Sequence, residues 1–222
     1  EQTGAYVTAN GGEVLGAVRR PLSTNDCSSF LLQAQASGAK VIGLANAGLD
    51  TQNAIKSAAE FGIVQGGQRL AALLFTLAEV HGLGAEAAQG LTLTESFYWN
   101  RTDESREFAQ RFFERTQAMP NMVHAGTYSA VLQYLKAIEA AGTDATAAVS
   151  EQLHTLPVND VFSQGGTVGA NGRLITDVYL LEVKAPADIT TDWDYFNVLA
   201  TIPGSEAFID PAESGCALVA AN

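Results

Sequence analysis

The sequence predicts an α/β fold built on a mostly parallel sheet. Short apolar runs, each too brief to be a buried helix, alternate with stretches of helical periodicity. A repeated strand–helix–strand order requires right-handed crossovers between parallel strands. The 222 residues are 47% hydrophobic and 16% charged, a composition that supports a large buried core and excludes a disordered or collagen-like chain.

Four apolar runs are predicted to be strands buried on both faces, because glycine or other turn-forming residues bound each of them. The helix after the first run is predicted to start with Asn25 or Asp26 as its N-cap. The helix after the second run is predicted to start near Thr51, with Asp50 as its N-cap. The predicted strands are residues 13–18, 40–45, 69–75 and 90–97.

The pattern changes after Trp99, where amphipathic helices follow one another. Each of them needs another part of the protein against which its apolar face can pack. Further along, Asn171-Gly172 lies between two strand-like stretches and is the strongest short signal for a β-hairpin. Residues 193–200 supply one more predicted strand. The predicted helices are residues 103–117, 125–141 and 145–156.

Residues 1–12 have the pattern of the last turns of a helix that stops at Gly11-Gly12. The strand that should precede such a helix is missing from the sequence. A parallel sheet without its first strand leaves an open row of N–H and C=O groups, which attracts a partner. We therefore expect the chain to be a fragment that lacks the N-terminal portion of a longer protein.

The charge balance argues against a nucleic-acid partner. Twelve basic and 24 acidic residues give a formal net charge of −12, so a broad basic surface for phosphates is not expected. The longest predominantly apolar run, residues 70–78, ends at Glu79. That run is shorter than the roughly 20 residues that a membrane-spanning helix needs.

Sequence motifs for catalysis or metal binding are absent. There is no phosphate-binding glycine loop, dinucleotide fingerprint, nucleophile elbow or zinc-protease motif. His81, His124 and His154 lie on different segments without a second ligand at metal-binding spacing. A bridge between Cys27 and Cys216 would fit their number, but the sequence does not give the short Cα separation that it needs. We predict no catalytic residue, no metal and no cofactor.

A binding site is predicted where the parallel strands end, because ligands of open α/β sheets collect beyond the carboxyl ends of the strands. The residues there combine small side chains, aromatic rings and uncharged hydrogen-bonding groups, which is the composition of a binding cleft. Alternatively, the two adjacent aromatic rings pack beneath a neighbouring helix. The predicted ligand-binding residues are Asn46, Ala47, Phe75, Thr76, Tyr98 and Trp99.

Several stretches resemble the substrate-binding proteins of branched-chain amino-acid ABC transporters. Among them are Val-Ile-Gly-Leu-Ala-Asn-Ala-Gly at 41–48, Phe-Tyr-Trp-Asn at 97–100 and Trp-Asp-Tyr at 193–195. The others lie at residues 12–22, 28–37, 53–56, 60–62, 200–204 and 214–216. Together they span nearly the whole chain.

The resemblance implies the fold of type I periplasmic binding proteins, with two Rossmann-like lobes, mostly parallel sheets and a first lobe that is incomplete in this chain. Residues 1–96 would form the main part of the second lobe, and residues 97–157 would be first-lobe helices. Residues 158–204 would return to the second lobe as a hairpin and strands, and residues 205–222 would be a C-terminal tail.

The resemblance also implies a function: a non-enzymatic, periplasmic component of an ABC importer that closes two lobes on its ligand. The partners would be an amino acid or a small aromatic or branched carboxylic acid, an ABC permease in the inner membrane, and the missing N-terminal portion. Cys216 would form a disulfide with that portion, and Cys27 would be a packed thiol. A ligand-sensing module of a receptor or regulator is the main alternative, and an α/β enzyme ranks last.

Overall fold

The computed structural model describes residues 2–23, 26–217 and 219. The chain divides into two compact units. The first unit comprises Glu1–Phe75, Glu79–Leu93 and Glu182–Thr190. The second unit comprises Thr76–Ala78, Thr94–Leu181 and Thr191–Asn222.

The first unit combines parallel strands with helices. Its strands are β1 (Val41–Leu44), β2 (Arg69–Ala72) and the start of β3 (Thr92–Glu95). Its helices are α1 (Gln2–Ala9), α2 (Ser28–Ala36), α3 (Leu49–Glu60), most of α4 (Leu77–Leu83) and α5 (Ala85–Ala88). Strand β2 pairs in parallel with β1 on one side and with β3 on the other, as the sequence predicts.

Helix α3 shows how the sequence pattern forms the core of the first unit. The spacing of Ala54, Ile55, Ala58 and Ala59 predicts that they share the inward face of α3. The first three are buried, and Ala59 is partly exposed. Strand β1 differs from its prediction, since Ile42 and Leu44 are buried whereas Val41 is 53% exposed. The prediction that β1 is buried on both faces is therefore wrong, because the described residues cover only one of them.

Two other local predictions in the first unit are wrong. Residues 13–18 do not form a strand, and Val14 and Leu15 are about half exposed. None of the strands among the described residues pairs with residues 13–18. Their backbone therefore lacks the hydrogen bonds to a neighbouring strand that a β-strand needs. Asp50 is not the N-cap of α3, because Gly48 holds that position with φ 57°.

The N-cap predicted for α2 falls partly on Asn25, which lies outside the described residues. Cys27 holds the N-cap position and makes no side-chain capping bond. Asp26 nevertheless supports this end of the helix, since its Oδ1 accepts a hydrogen bond from Ser28 N at 2.8 Å. Hydrogen bonds from the Ser28 side chain and, to a smaller extent, from its backbone N–H lower the pKa of Asp26.

The second unit combines long helices with a small antiparallel sheet. Its helices are α6 (Asp103–Thr116), α7 (Met122–Ala141), α8 (Thr146–Thr155) and α9 (Gly204–Ala207). Its strands are the end of β3, β4 (Val158–Asn159), β5 (Gln164–Val168), β6 (Leu174–Ile175), most of β7 (Val178–Val183) and β8 (Phe196–Ile202). Strands β4, β5 and β6 form an antiparallel sheet, whereas β8 lies beside β7.

The hairpin and the three long helices confirm the sequence predictions to within a few residues. Asn171-Gly172 connects β5 to β6, with Thr167 opposite Ile175. Helix α7 begins three residues earlier than predicted, because the side chain of Asn121 accepts hydrogen bonds from the N–H groups of its first turn. The strand predicted at residues 193–200 begins only at Phe196, since a turn occupies the preceding residues.

The cysteines do not support the predicted use of a disulfide. Cys27 is buried in the first unit and Cys216 is partly exposed in the second. No disulfide joins them within the part of the chain that the structure describes. Burial raises the pKa of the Cys27 thiol, which is consistent with the packed thiol expected from the resemblance.

Candidate functional site

The predicted site residues of the first unit lie at the ends of β1 and β2. Asn46 is anchored to the start of α3: its Nδ2 donates to Asp50 O at 3.2 Å, and its Oδ1 accepts from Thr51 Oγ1 at 3.1 Å. Ala47 is exposed, whereas Phe75 is almost completely buried. The Asn46 side chain is thus held in a fixed position by the helix that follows it.

Asp50, predicted only as a helix cap, forms an ion pair with Arg20. Arg20 Nη2 lies 3.3 Å from Asp50 Oδ1 and donates to Asp50 O at 2.9 Å, and both side chains are mostly buried. Ser23 N donates to Asp50 Oδ2 at 3.1 Å. These contacts fix residues 20–23 against the start of α3, beside the Asn46 loop.

In the second unit, Thr76 is joined to the start of α7. Its Oγ1 accepts a hydrogen bond from Asn121 Nδ2 at 3.1 Å, and both residues are buried. Asn121 Oδ1 accepts from Val123 N and His124 N, so the same amide side chain caps α7. Thr76 therefore has a structural partner that lies 45 residues away in the sequence.

Glu95, at the end of β3, holds the starts of two helices in the second unit. It is 1% exposed. Its Oε1 accepts from Leu77 N, the first residue of α4, at 2.8 Å. Its Oε2 accepts from Met122 N, the first residue of α7, at 3.0 Å. A carboxylate at helix N-termini is favourable because it satisfies N–H groups that have no partner within the helix.

Tyr98 and Trp99 are buried and bonded to residues almost a hundred positions later in the chain. The Tyr98 hydroxyl donates to Asp194 Oδ1 and accepts from Phe196 N at 3.3 Å. Trp99 Nε1 donates to the backbone oxygen of Trp193 at 2.9 Å. The two neighbouring rings meet edge to face, with centroids 6.2 Å apart. The polar atoms of both side chains thus have partners within the second unit.

Replacing Tyr98 by phenylalanine is expected to destabilise the second unit by about 1–3 kcal/mol, since both hydroxyl bonds are lost. Burial, and then the bond to Asp194, raise the pKa of Tyr98. The folded state therefore keeps this proton where the unfolded chain loses it, and stability should fall as the pH rises above about 10.

Urea unfolding of both proteins at about pH 8 and about pH 10.5 measures this dependence. The variant should lose less stability between the two pH values than the wild type, and Tyr134→Phe, at an exposed position on α7, is the control. Tyr179 and Tyr195 also have raised pKa values, so part of the loss should remain. An identical pH dependence in Tyr98→Phe and wild type would refute this role of the hydroxyl.

A polar cleft of about 620 Å³ in the second unit was not predicted. The Arg101 guanidinium lies over the Tyr179 ring, 4.4 Å from its centroid, on the wall of this cleft. Ser163 Oγ, also on the wall, accepts from Thr176 Oγ1 at 2.8 Å. None of the six predicted ligand-binding residues lines this cleft.

Sequence reasoning missed several residues that hold the predicted ones in place. A signal existed for Glu95, because it is the one charged residue in the run at 90–97, and a carboxylate in a buried strand needs a hydrogen-bond partner. Trp193 and Asp194 belong to a motif that carries the resemblance, but the motif alone does not indicate that they bond to Trp99 and Tyr98. Among residues 2–23, 26–217 and 219, no group of three or more His, Cys, Asp or Glu could hold a metal ion.

Comparison with solved structures identifies similar proteins. A periplasmic binding protein from Burkholderia mallei is 50% identical, with a TM-score of 0.89 over 97% of this chain and 57% of that one. A branched chain amino acid ABC transporter periplasmic ligand-binding protein from Burkholderia xenovorans LB400 is 42% identical, with a TM-score of 0.88 over 96% of this chain and 57% of that one. This chain therefore spans little more than half the length of these proteins.

A more distant structure shares the fold. It is an ABC transporter solute binding protein from R. palustris in complex with 4-hydroxybenzoate, 22% identical, with a TM-score of 0.73 over 88% of this chain and 54% of that one. Comparison with curated protein sequences gave no match. The family model described as periplasmic binding protein matches residues 1–188. The chain belongs to this family of binding proteins, and the part of the family's type I fold that it contains is mixed α/β with a mostly parallel sheet.

Proposed function

We propose that this chain is part of the solute-binding component of an ABC importer. The observation that carries the proposal is the family match over residues 1–188, together with 42% identity to a protein described as the ligand-binding protein of a branched chain amino acid ABC transporter. In the proposed mechanism, two lobes of the complete protein close on the ligand and a permease in the inner membrane recognises the closed state.

The proposed ligand is an amino acid or a small aromatic or branched carboxylic acid. The predicted ligand-binding residues carry no charge, and they offer apolar area and amide or hydroxyl groups. One structural neighbour holds 4-hydroxybenzoate, which supports an aromatic acid as a candidate for this fold. The proposed ligand-binding residues are Asn46, Ala47 and Phe75 in the first unit and Thr76, Tyr98 and Trp99 in the second.

The proposed location is the periplasm, in agreement with the family's name. In the part of the chain that the structure describes, no helix is both long enough and apolar enough to cross a membrane. The proposed partners of the complete protein are the ligand, the permease and an N-terminal portion that is not in this chain. Nucleic acid is not proposed as a partner.

Asn46→Ala in the full-length gene product is expected to weaken ligand binding by about 1–3 kcal/mol, because a buried polar group of the ligand would lose its hydrogen-bond partner. Isothermal titration calorimetry with leucine, isoleucine, valine and 4-hydroxybenzoate measures the loss. Asn53→Ala, in the middle of α3, is the matched control and should bind as the wild type does.

Two outcomes of this titration contradict the proposals. If none of these compounds and no other amino acid binds, the transport function fails. If a ligand binds but Asn46→Ala leaves the affinity unchanged, the function stands and Asn46 is removed from the site.

A further inference from the structure

Trp193, in the second unit, has a backbone conformation that is unusual for tryptophan. Its φ is 69°, in the left-handed region that crowds Cβ against the backbone. Asp194 N donates a hydrogen bond to Thr191 O at 3.1 Å, so residues 191–194 form a β-turn with Trp193 in its third position. A turn with a positive φ at this position normally has glycine or asparagine there. The sequence thus places one of the largest side chains where the backbone favours none.

No ordinary structural role accounts for this conformation. Among the described residues other than glycine, only Ser23 and Gln117 also have a positive φ. Gln117 is the C-cap of α6, a position where the left-handed conformation is common. Trp193 lies at no helix end. Strained residues of this kind persist where the surrounding contacts hold them, and they are concentrated at functional sites.

The turn that contains Trp193 holds both proposed ligand-binding rings of the second unit. The backbone oxygen of Trp193 accepts the Nε1 hydrogen bond of Trp99 at 2.9 Å. The next residue, Asp194, accepts the hydroxyl hydrogen bond of Tyr98 through its Oδ1. Phe196 N donates to the same hydroxyl at 3.3 Å, and the Phe196 ring centroid lies 5.3 Å from that of Tyr98. This short segment therefore fixes two neighbouring rings through three hydrogen bonds.

The sign of φ at Trp193 decides where two of these acceptors point. The carbonyl group of Trp193 and the whole of Asp194 follow the bond about which φ rotates. A change to a negative φ would therefore turn both acceptors away together. The Trp99 and Tyr98 side chains are buried, so their donors would be left without these acceptors at a high cost. The hydrogen bonds thus hold the strained backbone, and the strained backbone directs the hydrogen bonds.

We propose that Trp193 is a positioning residue of the ligand site, whose left-handed backbone keeps the Trp99 and Tyr98 rings in the orientation that binds ligand. The role belongs to the backbone of Trp193, since its backbone oxygen is the acceptor for Trp99. The inference rests on the proposed function, in which both rings contact the ligand. It adds to that site a residue outside the six predicted ones, and it gives a reason for the strained turn.

The test compares Trp193→Gly with Trp193→Val in the full-length gene product. Glycine adopts a positive φ without strain, whereas valine, which is branched at Cβ, tolerates it least. Calorimetry uses leucine, isoleucine, valine and 4-hydroxybenzoate, at a temperature where circular dichroism shows every protein fully folded. Trp193→Gly should bind within about twofold of the wild type, because its φ stays positive at no cost. Trp193→Val should bind about tenfold more weakly, because the left-handed form becomes a minor conformation.

A second measurement needs no ligand. Hydrogen exchange of the Trp99 Nε1–H, followed by NMR and assigned by its absence in Trp99→Phe, should stay slow in Trp193→Gly and become faster in Trp193→Val. Leu199→Gly and Leu199→Val are the matched controls, because Leu199 lies in β8 without a positive φ. Glycine weakens the interior of a strand, so the valine variant should be the more stable one at this position. We expect the reverse order of stability in urea at Trp193.

Three outcomes overturn the proposal. If Trp193→Gly binds as weakly as Trp193→Val, the side chain matters rather than the backbone. If Trp193→Val binds as tightly as the wild type, the turn has only a structural role, because such a role changes stability and not the affinity of the folded protein. If the Trp99 Nε1–H exchanges equally in both variants, Trp193 does not position the ring. Failure of the proposed function is distinguishable, because the wild type itself then binds no compound, and the role of Trp193 at the ligand falls with it.

Discussion

Glu95→Ala is expected to lower the free energy of unfolding of the second unit by about 2–4 kcal/mol. The substitution removes two hydrogen bonds to a buried carboxylate and leaves the N–H groups of Leu77 and Met122 without that acceptor. Hydrogen bonds to charged groups contribute more than neutral ones, and a buried donor without an acceptor bears its full desolvation cost. Because the bonds anchor the first residues of α4 and α7, both helix starts should loosen together.

Urea unfolding followed by tryptophan fluorescence measures this change, since both tryptophans of the chain, Trp99 and Trp193, lie in the second unit. Glu107→Ala removes an exposed carboxylate from α6 and should stay within about 0.5 kcal/mol of the wild type. If Glu95→Ala unfolds at the same urea concentration as this control, the carboxylate does not hold the helix starts.

The sequence predicts the order of elements well, because that order follows from local periodicity. The inward residues of α3 and the hairpin at Asn171-Gly172 each depend on a few neighbouring positions. Residues 13–18 show where local pattern fails. Their composition suits a strand, but a strand also needs a neighbour to supply hydrogen bonds, and composition does not specify one.

The candidate site is less predictable than the fold, because its supports come from distant parts of the chain. The loop that contains Tyr98 and Trp99 is predictable from its place after an apolar run. Its partners at Trp193 and Asp194 are 94 and 96 residues away, and no local pattern connects them. The same holds for Glu95. The sequence shows a carboxylate at this position, but it does not show that the first residues of two helices donate hydrogen bonds to it.

Helix α7 illustrates a different limit. Its periodicity correctly predicts a helix, and the usual rule would bury its large apolar side chains. In the structure Val131 and Leu135 are more than half exposed, whereas the fully buried residues of this helix are alanine, serine and glutamine. A hydrophobic pattern thus indicates which face requires a partner, but it does not indicate whether that partner belongs to the same chain.

Trp99→Ala is expected to lower the free energy of unfolding of the second unit by about 3–5 kcal/mol, the cost of deleting a large buried aromatic side chain. The ring is 7% exposed, meets Tyr98 edge to face, and donates its Nε1 hydrogen bond to Trp193 O. The alternative interpretation of this residue, packing within the protein, therefore predicts a stability effect that does not depend on any ligand.

Trp99→Phe separates this packing role from the proposed contact with ligand. It keeps an aromatic ring and removes the Nε1 bond, so its stability loss should be smaller, and Trp193 remains as the fluorescent reporter in both variants. If Trp99 contacts the ligand, the Trp99→Phe variant of the full-length gene product should bind the ligand more weakly than the wild type does, even where both proteins are fully folded. Wild-type affinity in a folded Trp99→Phe protein would assign Trp99 to the core alone, and a Trp99→Ala protein as stable as the wild type would contradict its burial.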